Sequence, residues 1–173
     1  MSTKVLLIMS LISLLSCQST KELKTVTEVD ISKYAGKWYE IARLPNRFEK
    51  GMICVTANYS IREDGKIEVI NQGHSEENPT EVKKAKGVAW VPDSTEPGRL
   101  KVSFFRPFYG RYYIIALDKD YKYALVGNPS REYLWILART KSLDSSIYNE
   151  LLNTAKQNGF AIEKLIKIDQ SCE

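Results

Sequence analysis

The feature that most constrains this chain is a succession of short alternating apolar and polar runs, divided by Gly, Pro, Asn and Asp, from Trp38 to Ala138. Period-two alternation marks strands with one buried face, and its repetition at close spacing points to an all-β sandwich or barrel. Trp38 to Arg43 is the first run and Val55 to Ile61 the second, joined by a long loop through Pro45, Phe48 and Gly51. Asp64-Gly65 has the chemistry of a tight hairpin turn into Lys66 to Asn71. Val82 to Val91 follows, ended by the turn residues of Pro92 to Gly98. Leu100 to Phe105, Tyr109 or Gly110 to Leu117, Tyr121 to Val126 and Tyr133 to Ala138 bring the count to eight. Eight antiparallel strands suffice to close an up-and-down barrel around one small ligand, and closure leaves no sheet edge open to other chains.

Beyond the eighth strand the period changes. Leu143, Ile147, Leu151 and Ala155 recur every four residues, with Asp144 placed as an N-cap and Gly159 as the residue past the C-terminus, so an amphipathic helix is expected here. Its apolar stripe should pack on the outer wall. Ala161 to Ile168 then alternates again and reads as a short ninth strand. Residues 28 to 173 are enough for one domain with its own core.

Three small motifs lie along this pattern: Gly36-Lys37-Trp38 opening the first strand, Asp120-Tyr121 in a turn, and Arg139 closing Tyr133 to Arg139. Together, in that order, they resemble the Gly-x-Trp, Thr-Asp-Tyr and lone Arg of the lipocalin family, with Lys119 standing where the Thr would be. Longer stretches are similar to the family's bacterial outer-membrane subgroup and its apolipoprotein D relatives. These are Gly36 to Gly51, Ser103-Phe104-Phe105-x-Pro107-Phe108-Tyr109-Gly110, Tyr123 to Val126, and Tyr133 to Leu137. The resemblance covers roughly Asp30 to Asp169. It implies an eight-stranded barrel with a C-terminal helix and a ninth strand. It also implies non-covalent binding of fatty acids or lysophospholipids, and a role in lipid storage, transport or envelope maintenance. Tyr59 and Trp135 fall on pocket positions of that subgroup, and Cys54 and Cys172 on a strand-to-tail disulfide of the apolipoprotein D branch.

Up-and-down connectivity adds a geometric expectation. Trp38 starts the first strand, Asp120-Tyr121 joins the sixth to the seventh, and Arg139 finishes the eighth, so all three should meet at one end. An indole plugging that end under a guanidinium would close it. The open mouth would then be formed by Leu44 to Met52, Gly73 to Glu81, Arg106 to Phe108 and Gly127 to Glu132. A Cys54 that faces out to bond with the tail turns Val55, Ala57 and Tyr59 inward by parity; Arg139 reaching Trp38 from inside does the same for Tyr133, Trp135 and Leu137. Leu100, Val102 and Phe104 alternate with Lys101 and Ser103 and point in, and Tyr109 is expected just inside the mouth. Tyr59, Val102, Phe104, Tyr109 and Trp135 are thus the candidate ligand contacts. Plain core packing with no vacant volume is the alternative for each.

The N-terminus carries a different message. Lys4 precedes an apolar run from Val5 to Leu15, too short for a membrane span, and Leu14-Leu15-Ser16-Cys17 resembles the lipobox of bacterial lipoproteins. Residues 1–16 are expected to be a signal peptide, with Cys17 the acylated first residue of a polar tether over residues 17–27 and an anchor in the membrane. Gln18, where an Asp would favour the inner membrane, points to the outer membrane with the domain facing the periplasm. Lipidation accounts for the odd member of three cysteines. Cys54 and Cys172 then either pair in an oxidising compartment or leave a reactive thiol.

Other function classes find little support. The 25 basic and 21 acidic residues leave a net charge of +4, scattered rather than blocked, which argues against nucleic acid as a partner. His74 is the single histidine, in a polar loop, and neither a metal site nor a cofactor motif is suggested. The sequence reads as a binding protein rather than an enzyme, monomeric or weakly dimeric. A structural envelope protein without a dedicated ligand, or a pocket-thiol lipocalin enzyme, is the alternative.

Overall fold

The computed structural model describes residues 22–172, so Cys17 and the leader lie outside the described residues. Eight strands run β1 Gly36–Arg43, β2 Met52–Ile61, β3 Ile67–Ser75, β4 Val82–Trp90, β5 Arg99–Phe105, β6 Phe108–Leu117, β7 Tyr123–Gly127 and β8 Leu134–Ala138. Each pairs antiparallel with its neighbour, and β1 pairs with both β2 and β8, which closes the sheet into the expected barrel. Turn chemistry sets the joints. At Asp64-Gly65 the carboxylate accepts the Lys66 N–H (3.1 Å) and Gly65 takes a φ of 75°.

A one-turn helix, α1 (Ile31–Tyr34), crosses the barrel's end ahead of β1, its N-terminal N–H groups capped by the Asp30 carboxylate. Helix α2 (Ser145–Gln157) starts at Asp144, whose carboxylate accepts from Ser146 N–H, and ends before Gly159 at φ 82°. Its buried Leu151 and Ala155 share an apolar cluster with Leu125, Leu134, Ile136 and Phe160 on the outside of the barrel wall. Gly127 belongs to this contact, because a Cβ there would stand 2.8 Å from the Phe160 ring.

Four expectations need correction. The ninth strand is far shorter than Ala161 to Ile168: Ile162–Lys164 forms a 3-10 turn, leaving Ile166–Lys167 as β9 against Ala42 and Arg43. Tyr121 lies in the turn before β7 at φ 58°, and Tyr133 lies just before β8. Residues 22 to 27 lie against the barrel rather than free of it. Leu23 is buried, Glu22 pairs with Arg99 at 2.7 Å and Val26 N–H donates to the Ile114 carbonyl. Finally, β2 does not alternate throughout, since Cys54 at φ 51° sits in a register shift between Ile53 and Thr56.

Candidate ligand-binding site

The first strand enters the barrel through Gly36, whose φ of 93° sharply turns the chain from α1 into β1 and delivers Trp38 to the interior with no exposed surface. The indole N–H donates to the Tyr34 carbonyl (2.8 Å), and the Tyr34 ring lies 5.0 Å away above it. Outside, the Arg139 guanidinium covers the indole face at 3.9 Å. It also donates to the carbonyls of Lys33 (2.7 Å), Tyr34 (3.1 Å), Ala35 (2.9 Å) and Lys37 (2.8 Å), which include C-terminal carbonyls of α1 that no helical N–H reaches, and to Tyr121 (3.2 Å). The three motifs therefore meet at one end and shut it. Asp120 takes part only at the surface, near Lys122 at 3.6 Å.

Above this plug the barrel holds a cavity of about 90 Å³, against the ~10–15 Å³ that one water requires. Its floor is three phenols joined through their hydroxyls, Tyr34 to Tyr112 at 2.6 Å and Tyr59 to Tyr112 at 3.0 Å. Burial raises the pKa of all three, that of Tyr59 to about 12, so they stay neutral donors and acceptors at any physiological pH. The walls are apolar: Ile67, Val69, Ala89, Leu100, Val102 and Leu137. Phe104 and Trp135 stand higher, Trp135 stacked on Tyr133 with ring centroids 5.8 Å apart.

One wall is charged. Glu40 and Arg43 of β1 are buried and joined at 2.6 Å, and Glu49 reaches back from the β1–β2 loop to accept the Trp135 indole N–H (3.0 Å) and an Asn46 N–H (2.6 Å). Arg43 also holds that loop by donating to the carbonyls of Glu49 and Met52. Burial, and then the Glu49 charge, lift the Glu40 pKa well above the carboxylate range; Arg43 opposes them and is outweighed. Behind this wall the Cys54–Cys172 disulfide ties the tail to β2, and Gln170 donates to the carbonyls of Glu40 (2.8 Å) and Val55 (2.9 Å).

Of the candidate contacts, Tyr59, Val102, Phe104 and Trp135 line the cavity. Tyr109 does not. Strand β6 turns Tyr112 inward, so Tyr109, an odd number of residues away, is carried to the outer face against Trp90 (6.1 Å) and under the Lys101 ammonium (4.3 Å). The polar residues missed are Tyr34, Glu40, Glu49, Thr56, Asn71 and Tyr112, and the apolar ones Ile67, Val69 and Ala89. Parity from Trp38 pointed to Glu40 and parity along β6 to Tyr112. Tyr34 and Glu49 come from a short helix and a loop, where no alternation exists to read.

A family model described as a lipocalin-like domain matches residues 29–170 of this chain. The chain belongs to the lipocalin family. Among curated relatives of this lipocalin, an outer membrane lipoprotein Blc from Citrobacter freundii is 45% identical, the alignment covering 90% of this chain and 89% of that one. Another of the same name, from Vibrio cholerae, is 42% identical over 96% of this chain and 98% of its own. Among solved structures, insecticyanin from the tobacco hornworm Manduca sexta superposes with a TM-score of 0.69 at 25% identity, covering 86% of this chain and 84% of that one.

Proposed function

We propose that this protein is a non-catalytic carrier that holds one fatty acid or lysophospholipid in the barrel cavity, for storage or transport in the bacterial envelope. The observation that carries this reading is the blind-ended apolar cavity, plugged by Trp38 and Arg139 below and open between Phe104, Trp135 and the loops above. The relatives named as outer membrane lipoproteins support acylation at Cys17 and a place at the outer membrane; in this reading the barrel faces the periplasm. Because Cys54 and Cys172 are joined, neither offers the thiol that a lipocalin enzyme would need. Monomer or weak dimer is the working state in this reading.

Burying ~12 methylenes offers ~10 kcal/mol before the costs of association, and a micromolar complex needs ~8 kcal/mol net. Because the cavity of about 90 Å³ is smaller than the ~150 Å³ that holds a benzene, the acyl chain extends up past Phe104 and Trp135 between the mouth loops. Titration of the protein with fatty acids and lysophospholipids of graded length should change Trp135 fluorescence with one-to-one saturation. Absence of saturation at every chain length and head group would favour a structural envelope protein instead.

A further inference from the structure

The hairpin of β5 and β6 forms one side of the mouth, and its tip is unlike a soluble surface. Phe105 is 75% exposed and Phe108 70%, stacked on one another at 6.4 Å, with Tyr109 54% exposed beside them. Single exposed aromatics are ordinary; three on one turn, with half-covered Phe104 beneath, make a patch that water does not favour. Across the mouth Phe48 is 64% exposed, leaning on Tyr133.

The charge around this tip is of one sign. From Arg99 to Leu117 the hairpin carries Arg99, Lys101, Arg106 and Arg111 and no carboxylate. Arg106 and Arg111 are exposed and, among the described residues, belong to no ion pair. Acidic residues of the mouth gather elsewhere, at Glu76, Glu77 and Glu81 between β3 and β4 and at Glu132. Aromatic rings interleaved with guanidinium groups are the composition that settles at a bilayer's head-group level, the rings among the upper acyl chains and the cations against anionic lipid.

The start of the described chain points the same way. Glu22 is held by Arg99, the first residue of this hairpin, and Leu23 packs in the cluster that includes Tyr113 and Ile115 on the outer face of β6. Cys17 stands five residues before Glu22, and five residues extend at most ~17 Å, which is also about the rise of β6 from Tyr113 to Phe108. Five extended residues from Glu22 are thus just enough for a lipid at Cys17 and the tip to reach one bilayer.

We propose that the β5–β6 tip docks on an anionic bilayer, Phe105, Phe108 and Tyr109 entering the head-group layer and Arg106 and Arg111 facing lipid phosphates, so that the mouth opens onto the membrane. A single-chain lipid then passes between bilayer and cavity without crossing bulk water. The proposal uses the carrier reading only for this last consequence; the docking stands apart from it.

The test adds a tryptophan at the tip. Mature protein with Phe108→Trp, isolated from an exporting host, is mixed with phosphatidylethanolamine–phosphatidylglycerol vesicles containing phospholipid brominated near the head group. The unsubstituted protein, run in parallel, reports any lipid that enters the cavity past Trp135. Quenching of the added indole at least twofold above that background, and weaker when phosphatidylcholine replaces phosphatidylglycerol, is the expected result. Quenching no greater than background overturns the proposal, as does a spectral shift of the added indole that depends on protein concentration and not on vesicles, which would make the tip an interface between two copies. Equal quenching on neutral vesicles overturns the part given to Arg106 and Arg111. Loss of ligand saturation with tip quenching retained would remove the carrier reading and leave the docking intact.

Discussion

Two tryptophans occupy the same barrel and differ in what surrounds them. Trp38 is fully enclosed between Tyr34 and Arg139, whereas Trp135 faces the cavity and is held by Glu49. Trp38→Ala should therefore cost ~3–5 kcal/mol of stability, read by chemical denaturation. Trp135→Ala should weaken ligand binding more than it lowers the melting temperature, and exchanged effects would invert the assignment of closed and open ends. Glu40 gives a residue-scale prediction in pH. Its carboxyl binds a proton more tightly folded than unfolded, so stability falls as pH rises above the ordinary carboxylate value of 4.5 toward its raised value. Melting temperatures measured across that window should decline in the natural protein and decline less in Glu40→Gln; parallel curves would place the linkage on another group.

At the scale of elements, the disulfide is the strongest tie between distant parts of the chain. It spans a sequence separation of 118, for which chain entropy gives ~4–5 kcal/mol. The tail is already held by β9 and by Gln170, so reduction should lower stability by less than that, ~2–3 kcal/mol, without opening the barrel. Unfolding curves with and without reductant check this, and identical curves would mean that the disulfide adds nothing to the hold of β9 and Gln170 on the tail. The same elements show what the sequence could convey. Alternation located all eight barrel strands, and Asp144 with Gly159 bounded α2, because burial imposes a period on each. Helix α1 has four residues, too few for a 3.6-residue period, and only Asp30 marked its start. Ala161 to Ile168 alternates as a strand should, yet Ile162 and Leu165 both pack on the cluster beneath α2, a three-residue spacing that a 3-10 turn supplies.

For the whole molecule, connectivity and parity together made the closed end legible, since Trp38, Tyr121 and Arg139 were bound to meet once the strands alternated in direction. Parity also located Tyr59, Val102, Phe104 and Trp135 on the cavity wall, whereas Tyr109 was placed only by its nearness to the mouth, and alternation from the inward Tyr112 carries it outside. The charged wall of Glu40, Arg43 and Glu49 depends on how a mouth loop folds back, which no period encodes. In the proposed function this barrel carries one single-chain lipid. Native mass spectrometry of the protein isolated from its exporting host tests it most directly. A one-to-one adduct of fatty acid or lysophospholipid mass is expected, removed by solvent extraction and restored by adding back the extracted lipid. A lipid-free mass before extraction, with no adduct formed on adding fatty acid or lysophospholipid, would contradict it.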